Sequence, residues 1–252
     1  MNGLTVLAWR ELVRYARQPT RLMGSLAQPL LFWLFMGSGF GDSVRFGSQE
    51  GDYGQFFFPG IVLMLLLFAA IFSTITLIED RNSGFLQGVL VAPVSRLGLV
   101  LGKLCGGTAI ALIQALLFLL FAPLAGFDLG LGMFLSLLPF LVVVGLGFTG
   151  MGFAVAWKME TTAGYHAVMS VVMLPMWLLS GALFPLDNAS TWLAWIMRCN
   201  PTTYALQVLR GAFYQPLDIL WQDGAFATAL AVTLAWTGLM VALSVWIVRR
   251  EA

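Results

Sequence analysis

A chain of 252 residues that is 60% hydrophobic and only 10% charged excludes a soluble globular domain, whose charged share is near a quarter, and excludes a disordered segment. The formal net charge of +1 gives no electrostatic support for nucleic-acid binding. The composition is that of an all-α polytopic membrane protein, expected here as a single transmembrane domain over 1–252.

The N-terminal stretch 1–21 reads as an amphipathic helix. At about 100° per residue, Arg10, Arg14, Arg17 and Arg21 form one stripe, while Leu4, Ala8, Leu12 and Tyr15 occupy another face. Such a helix is expected in the membrane interface with its arginines toward anionic headgroups. The apolar run after it follows a long basic leader without a small-x-small cleavage pattern, so it reads as a retained span rather than a signal peptide.

Crossing a bilayer takes about 20 apolar residues. Six runs qualify: Leu22–Phe40, Phe56–Ile78, Leu104–Phe127, Leu131–Trp157, Tyr165–Phe184 and Gly224–Val248. No Asp, Glu, Lys or Arg lies inside them. Proton coupling through a buried ionisable group is therefore not expected, and energy should enter from a surface outside the bilayer. One side carries Arg10, Arg14, Arg17, Arg21, Arg81, Arg96, Lys103, Lys158, Arg249 and Arg250; the other carries Arg45, Arg198 and Arg210. The positive-inside bias places both termini in the cytoplasm.

Between the second and third runs lies 79–103, EDRNSGFLQGVLVAPVSRLGLVLGK. Gly84 and Pro93 bracket a short helix in which Phe85, Leu86, Val89 and Leu90 share one face. Glu79, Asp80 and Arg81 precede it, and Arg96 and Lys103 follow. An apolar-faced helix with a charged surround suits a groove on a partner protein; a helix lying on the membrane surface has the same pattern. In the fourth run, Gly145, Thr149, Gly152 and Ala156 form a small-residue stripe suited to close packing. Pro29, Pro139 and Pro175 can kink their helices.

The segment 186–223 is too polar to span. Thr191–Met197 is apolar, and Asn200-Pro201 is a helix start, with Asn as cap and Pro in the first turn of a helix over Pro201–Tyr214. At about 1.5 Å per residue that helix is too short to cross. Two short interfacial or re-entrant helices are expected on the outer face.

No catalytic set is present. His166 stands alone, Ser180-Gly181 lacks the glycine of a Gly-x-Ser-Gly motif, and Gly98–Leu104 is one residue short of a phosphate loop and ends in Leu104 instead of Ser or Thr. Cys105 and Cys199 have no metal-ligating neighbours and are expected on opposite sides of the membrane, too far apart for a disulfide. Asn188-Ala189-Ser190 fits a glycosylation sequon, a pattern short enough to arise by chance.

Several blocks together resemble the membrane subunit of a type-2 ATP-binding-cassette (ABC) transporter. These are Phe58-Pro59-Gly60, Glu79-Asp80-Arg81-Asn82-Ser83-Gly84, Leu90-Val91-Ala92-Pro93-Val94-Ser95-Arg96, Leu101-Gly102-Lys103, Ser180-Gly181, Phe184-Pro185, Asn200-Pro201-Thr202-Thr203-Tyr204-Ala205 and Leu209-Arg210-Gly211. The resemblance covers nearly the whole chain and implies roles. Residues around Asn82–Pro93 would form a coupling helix seated in an ATPase subunit, giving Glu79, Arg81, Gly84, Phe85, Leu86, Val89, Leu90, Pro93 and Arg96 as contact residues. The N-terminal helix would lie beside that ATPase. Phe184, Pro185, Asn200, Pro201, Tyr204 and Arg210 would belong to outer re-entrant helices that close the pathway. The acidic residue that often follows the glycine in this loop is absent, since Gly84 precedes Phe85-Leu86-Gln87. The chain itself would hold no cofactor; two ATPase subunits would bind ATP and Mg. A second copy of the chain would complete the transporter in a bacterial inner membrane and move an amphipathic substrate outward. A membrane anchor that recruits a soluble partner without transporting is the other reading.

Overall fold

The computed structural model describes residues 3–40, 53–92, 95–128, 130–186 and 189–251. All regular structure among them is helical. Helix α1 (Gly3–Ala16) leads into α2 (Pro19–Phe40), and α3 (Tyr53–Ser73) bends into α4 (Ile75–Asn82). The short α5 (Phe85–Val91) precedes α6 (Arg96–Leu119), α7 (Leu131–Lys158) and α8 (Thr162–Trp177), which ends in a π turn at Leu178–Ala182. Helices α9 (Thr191–Cys199), α10 (Pro201–Tyr214) and α11 (Leu217–Leu220) lead to α12 (Gly224–Glu251).

Among the described residues, five helices are long and apolar enough to cross a membrane: Tyr53–Asn82, Arg96–Leu119, Leu131–Lys158, Thr162–Ala182 and Gly224–Arg250. The expected first span is a helix of 22 residues, α2, but Gln28, Pro29 and its interspersed Gly and Ser dilute the apolar run. The helix expected as the third span, α6, starts at Arg96, eight residues before the expected Leu104. Ser95 caps it, its hydroxyl accepting from the Gly98 N–H at 3.0 Å, and Pro123 with Gly126 at φ 82° ends it early. The expected 79–103 loop is accordingly much shorter. Glu79, Asp80 and Arg81 sit on α4, and Lys103 is two turns inside α6.

Helix α3 is the centre of the bundle. Phe57, Phe58, Ile61, Leu63, Leu66, Leu67 and Ile71 are fully buried along it, and α2, α6, α7, α8 and α10 pack around it. Ser73 and Thr74 return their hydroxyls to the Ala70 and Ile71 carbonyls at 2.6 and 2.7 Å, a back-bonding that bends helices. The bend is held by the Tyr165 hydroxyl of α8, which reaches Thr74 Oγ1 at 2.8 Å and the Ile71 carbonyl at 3.0 Å.

In a bilayer, helices gain little from leaving water and depend on close packing. Helix α7 provides it on two faces. A Cβ at Gly152 would lie 3.0 Å from the Ile71 Cα, and one at Gly150 would lie 3.1 Å from the Met240 carbonyl carbon. The latter neighbour is α12 backbone, which has no rotamer to give. Gly150→Val is therefore expected to force α12 off α7 and to lower stability by about 1–3 kcal/mol or more, read as a lower unfolding midpoint of the detergent-purified protein. Ala at the exposed Gly132, which has nothing within 4 Å, should leave the midpoint near the parent value.

Candidate functional site

The sequence places charge at the end of α4, and the fold collects it. The Asp80 carboxylate, 2% exposed, accepts both Arg10 guanidinium nitrogens at 2.7 and 2.9 Å, Arg14 at 3.4 Å, and the Lys103 ammonium. Lys103 also donates to Glu11 at 2.6 Å, and Arg14 to Glu79. Three cations thus meet three carboxylates, with Glu11, Asp80 and Lys103 buried. The hydrogen bonds to Asp80 hold the Arg10 guanidinium above its already high ordinary pKa, against the opposing effect of burial.

Helix α1 can reach this cluster because α6 presents glycines to it. A Cβ at Gly102 would be 3.0 Å from the Leu4 carbonyl oxygen, and one at Gly106 would be 2.9 Å from Glu11 Cβ. The buried face of α1 is Leu7, Glu11 and Tyr15, one residue per turn; the Tyr15 hydroxyl accepts from Gln114 of α6 at 2.8 Å. This corrects the expected interfacial stripe. Arg10 and Arg14 turn inward onto acids instead of toward headgroups, because Asp80 would otherwise be a buried charge without a partner. Arg17 remains exposed, and the side chain of Arg21 lies outside the described residues.

The same corner fixes the α4–α5 elbow. Arg81 donates to the Met159 carbonyl at 3.0 Å and to that of Trp157, placing a cation on the C-terminal end of α7 where the helix dipole favours it. Gly84 turns the chain at φ 77°, in the left-handed region that favours glycine. Phe85, opening α5, lies under the Arg10 guanidinium at 3.8 Å.

The expected partner-facing stripe of α5 is corrected too. Leu86 is 4% exposed and Val89 packs on the core, so that face covers the bundle. What points outward is Gln87, Gly88 and Val91, the last 87% exposed, with Phe85 at the rim. Pro93 lies outside the described residues, as does the side chain of Leu90. Arg96 starts α6 and donates to the Arg249 carbonyl. Glu79 and Arg81 are engaged within the chain.

At the opposite end, Asn200 caps α10 and donates to the Met176 carbonyl at 2.6 Å, and Thr202 adds a second donor to that oxygen at 2.7 Å. Tyr204 donates to the Arg198 carbonyl. Arg210 donates to the carbonyl of Gly181 at 3.2 Å and stacks on Phe56 at 4.3 Å. Gly181 itself sits at φ 89°, so α10 is tied to the point where α8 stops. Phe184 and Pro185 are half-buried beside it, and the Leu183 carbonyl accepts from Tyr53 at 3.3 Å. Cys105 and Cys199 are free thiols. Among the described residues no cluster of His, Cys, Asp or Glu has the makings of a metal site.

Glu11, Asp80 and Lys103 carry the cluster; sequence reasoning placed Asp80 and Lys103 only among the charges flanking the short helix and passed over Glu11. Their signal was present: Glu11 is an acid on the otherwise apolar face of an amphipathic helix, and Lys103 lies between the apolar runs Leu99-Val100-Leu101 and Leu104-Cys105.

A family model described as ABC-2 type transporter matches residues 2–214. Among curated relatives, ycf38 of Cyanophora paradoxa, named as a transport permease, is 33% identical over 215 residues, covering 83% of this chain and 73% of its own. Nodulation protein J of Neorhizobium galegae is 27% identical over 217 residues, covering 82% of this chain and 77% of its own. YbhR of Escherichia coli K12, described as a probable multidrug ABC transporter permease, is 26% identical over 176 residues, 68% of this chain and 48% of its own.

Removing one partner from a buried ion pair costs about 3–5 kcal/mol. Asp80→Asn is expected to lower stability by about that much in a chemical or thermal melt, whereas Arg17→Gln, at an exposed position outside the cluster, should stay within about 0.5 kcal/mol of the parent.

Proposed function

This chain belongs to the ABC-2 type transporter family, and we propose that, as the membrane subunit of an ABC transporter, it exports an amphipathic substrate, with the α4–α5 elbow receiving force from a separate ATPase. The observation that carries the reading is mechanical. The elbow ends in an exposed apolar residue, Val91, and its base is clamped to α1, α6 and α7 by Asp80, Arg10, Lys103 and Arg81. A push on α5 would reach three helices through short, charge-assisted contacts. ATP and Mg would be held by the ATPase; this chain would supply the docking surface and the moving helices. The difference in how the ATPase binds the two states then sets how far the pathway shifts.

The pairing we propose is a homodimer with two ATPase subunits. Ala163, His166, Ala167, Ser170, Val171 and Leu174 form one exposed stripe along α8, a narrow small-residue face suited to a second helix. Beside it, α2, α3 and α8 enclose an apolar groove of about 600 Å³ lined by Leu31, Phe32, Phe35, Met64 and Trp177. It shares Gly24, Ser25 and Phe68 with a chamber of about 380 Å³ that contains Tyr15, Gln114, His166 and Glu79. An apolar channel merging with a polar end suits a substrate with a tail and a polar head. With α2 as a sixth crossing helix, both termini would lie in the cytoplasm of a bacterial cell, the basic side.

Val91→Asp tests the reading. It should leave folding intact and lower ATPase association or transport-coupled hydrolysis on the order of tenfold, since a single well-buried anchor is often worth more than 1 kcal/mol. Leu86→Asp should instead destabilise the chain, because it puts a charge in the core. Normal coupling in Val91→Asp would remove α5 as the docking element, and the anchor reading would gain if ATPase binding persisted without any transport.

A further inference from the structure

We propose that the basic ends of α6 and α12 form a binding site for the headgroup phosphate of an anionic phospholipid. Arg96 is the first residue of α6, and Arg249 and Arg250 lie in the last turn of α12. The fold brings them together across 153 positions of sequence, with Arg96 Nη1 donating to the Arg249 carbonyl at 3.2 Å. All three are exposed, and among the described residues none takes part in an ion pair.

Four basic groups at the same end contrast with them. Arg10, Arg14 and Lys103 meet carboxylates, and Arg81 meets two carbonyls. The trio gathers three like charges, an arrangement that is unfavourable until an anion arrives.

The apolar surroundings select a lipid over an acidic protein surface. Arg250 lies 5.2 Å from the Trp246 ring. Trp246 is 54% exposed one turn back along a crossing helix, and Leu97, next to Arg96, is 41% exposed. An exposed tryptophan with an arginine above it is the pattern of a side-chain pair at headgroup level, ring toward the acyl chains and guanidinium toward phosphate. Basic pockets between helix ends on this side of a membrane recognise anionic headgroups through such contacts.

The test uses the full chain in phosphatidylcholine vesicles containing a minor fraction of brominated phosphatidylglycerol, compared with the same fraction of brominated phosphatidylcholine. Quenching of Trp246 is read as the difference between the parent and Trp246→Phe. The expected result is a preference for phosphatidylglycerol on the order of a hundredfold, falling about fivefold for each arginine removed. It should vanish in the triple variant R96Q, R249Q, R250Q, survive in the triple lysine variant, and resist added inorganic phosphate. Equal quenching by the two lipids, a preference that persists in the glutamine variant, or its loss to free phosphate would each overturn the proposal. So would a parent protein without any lipid preference whose glutamine variant loses ATPase binding, which would assign the patch to a protein partner.

Discussion

The corner of the bundle where α1, α4 and α6 meet depends on one buried carboxylate. Asp80 is almost wholly removed from solvent and satisfied by Arg10, Arg14 and Lys103. A charge buried alone would be prohibitive, so its partners are obligatory. That need draws α1 onto α6, lets Gly102 and Gly106 matter, and sets the direction in which α5 leaves the bundle. A neutral, well-packed corner of the same volume could be as stable. What the ionic version adds is geometry, because a bidentate arginine and a two-acceptor lysine fix the relative orientation of three helices.

The rest of the fold is organised by close approach more than by charge. Helix α7 places Gly147 and Gly150 against α12, and Gly145 and Gly152 toward the helices on its other side. The bend at Ser73-Thr74, pinned by Tyr165, gives the central helix a defined change of direction between the aromatic cluster around Phe57 and Phe58 and the ionic corner. The α4–α5 elbow at one end and the capped α10 at the other are therefore joined through a helix that is buried for most of its length.

Much of this was legible in the sequence, and the failures have identifiable causes. Asn200-Pro201 announces a helix start because the cap and the fixed φ are local properties, and α10 begins there. The spans at 131–157 and 224–248 are plain in the apolar pattern. The region 96–103 was misread as loop because Arg96, Gly98, Gly102 and Lys103 look like breakers; their partners, Glu11 and Asp80, are remote in sequence. The orientation of α5 was misread for a related reason. Phe85, Leu86, Val89 and Leu90 do share a face, but a period cannot tell whether that face meets a partner or the chain's own core. Only the packing of Leu86 decides it. The stripe of Arg10 and Arg14 was likewise visible while its destination was not, since a helical wheel does not show which buried acid lies opposite.

The most direct test of the account is hydrogen exchange on the purified chain and its Asp80→Asn variant. If one buried carboxylate holds the corner together, amides of α1, α5 and the first turns of α6 should lose protection as a group in the variant, while α7 against α12 and the α10 cap stay as protected as in the parent. Loss confined to the end of α4, with α1 and α5 unchanged, would contradict the claim that these helices are fixed to one another through Asp80.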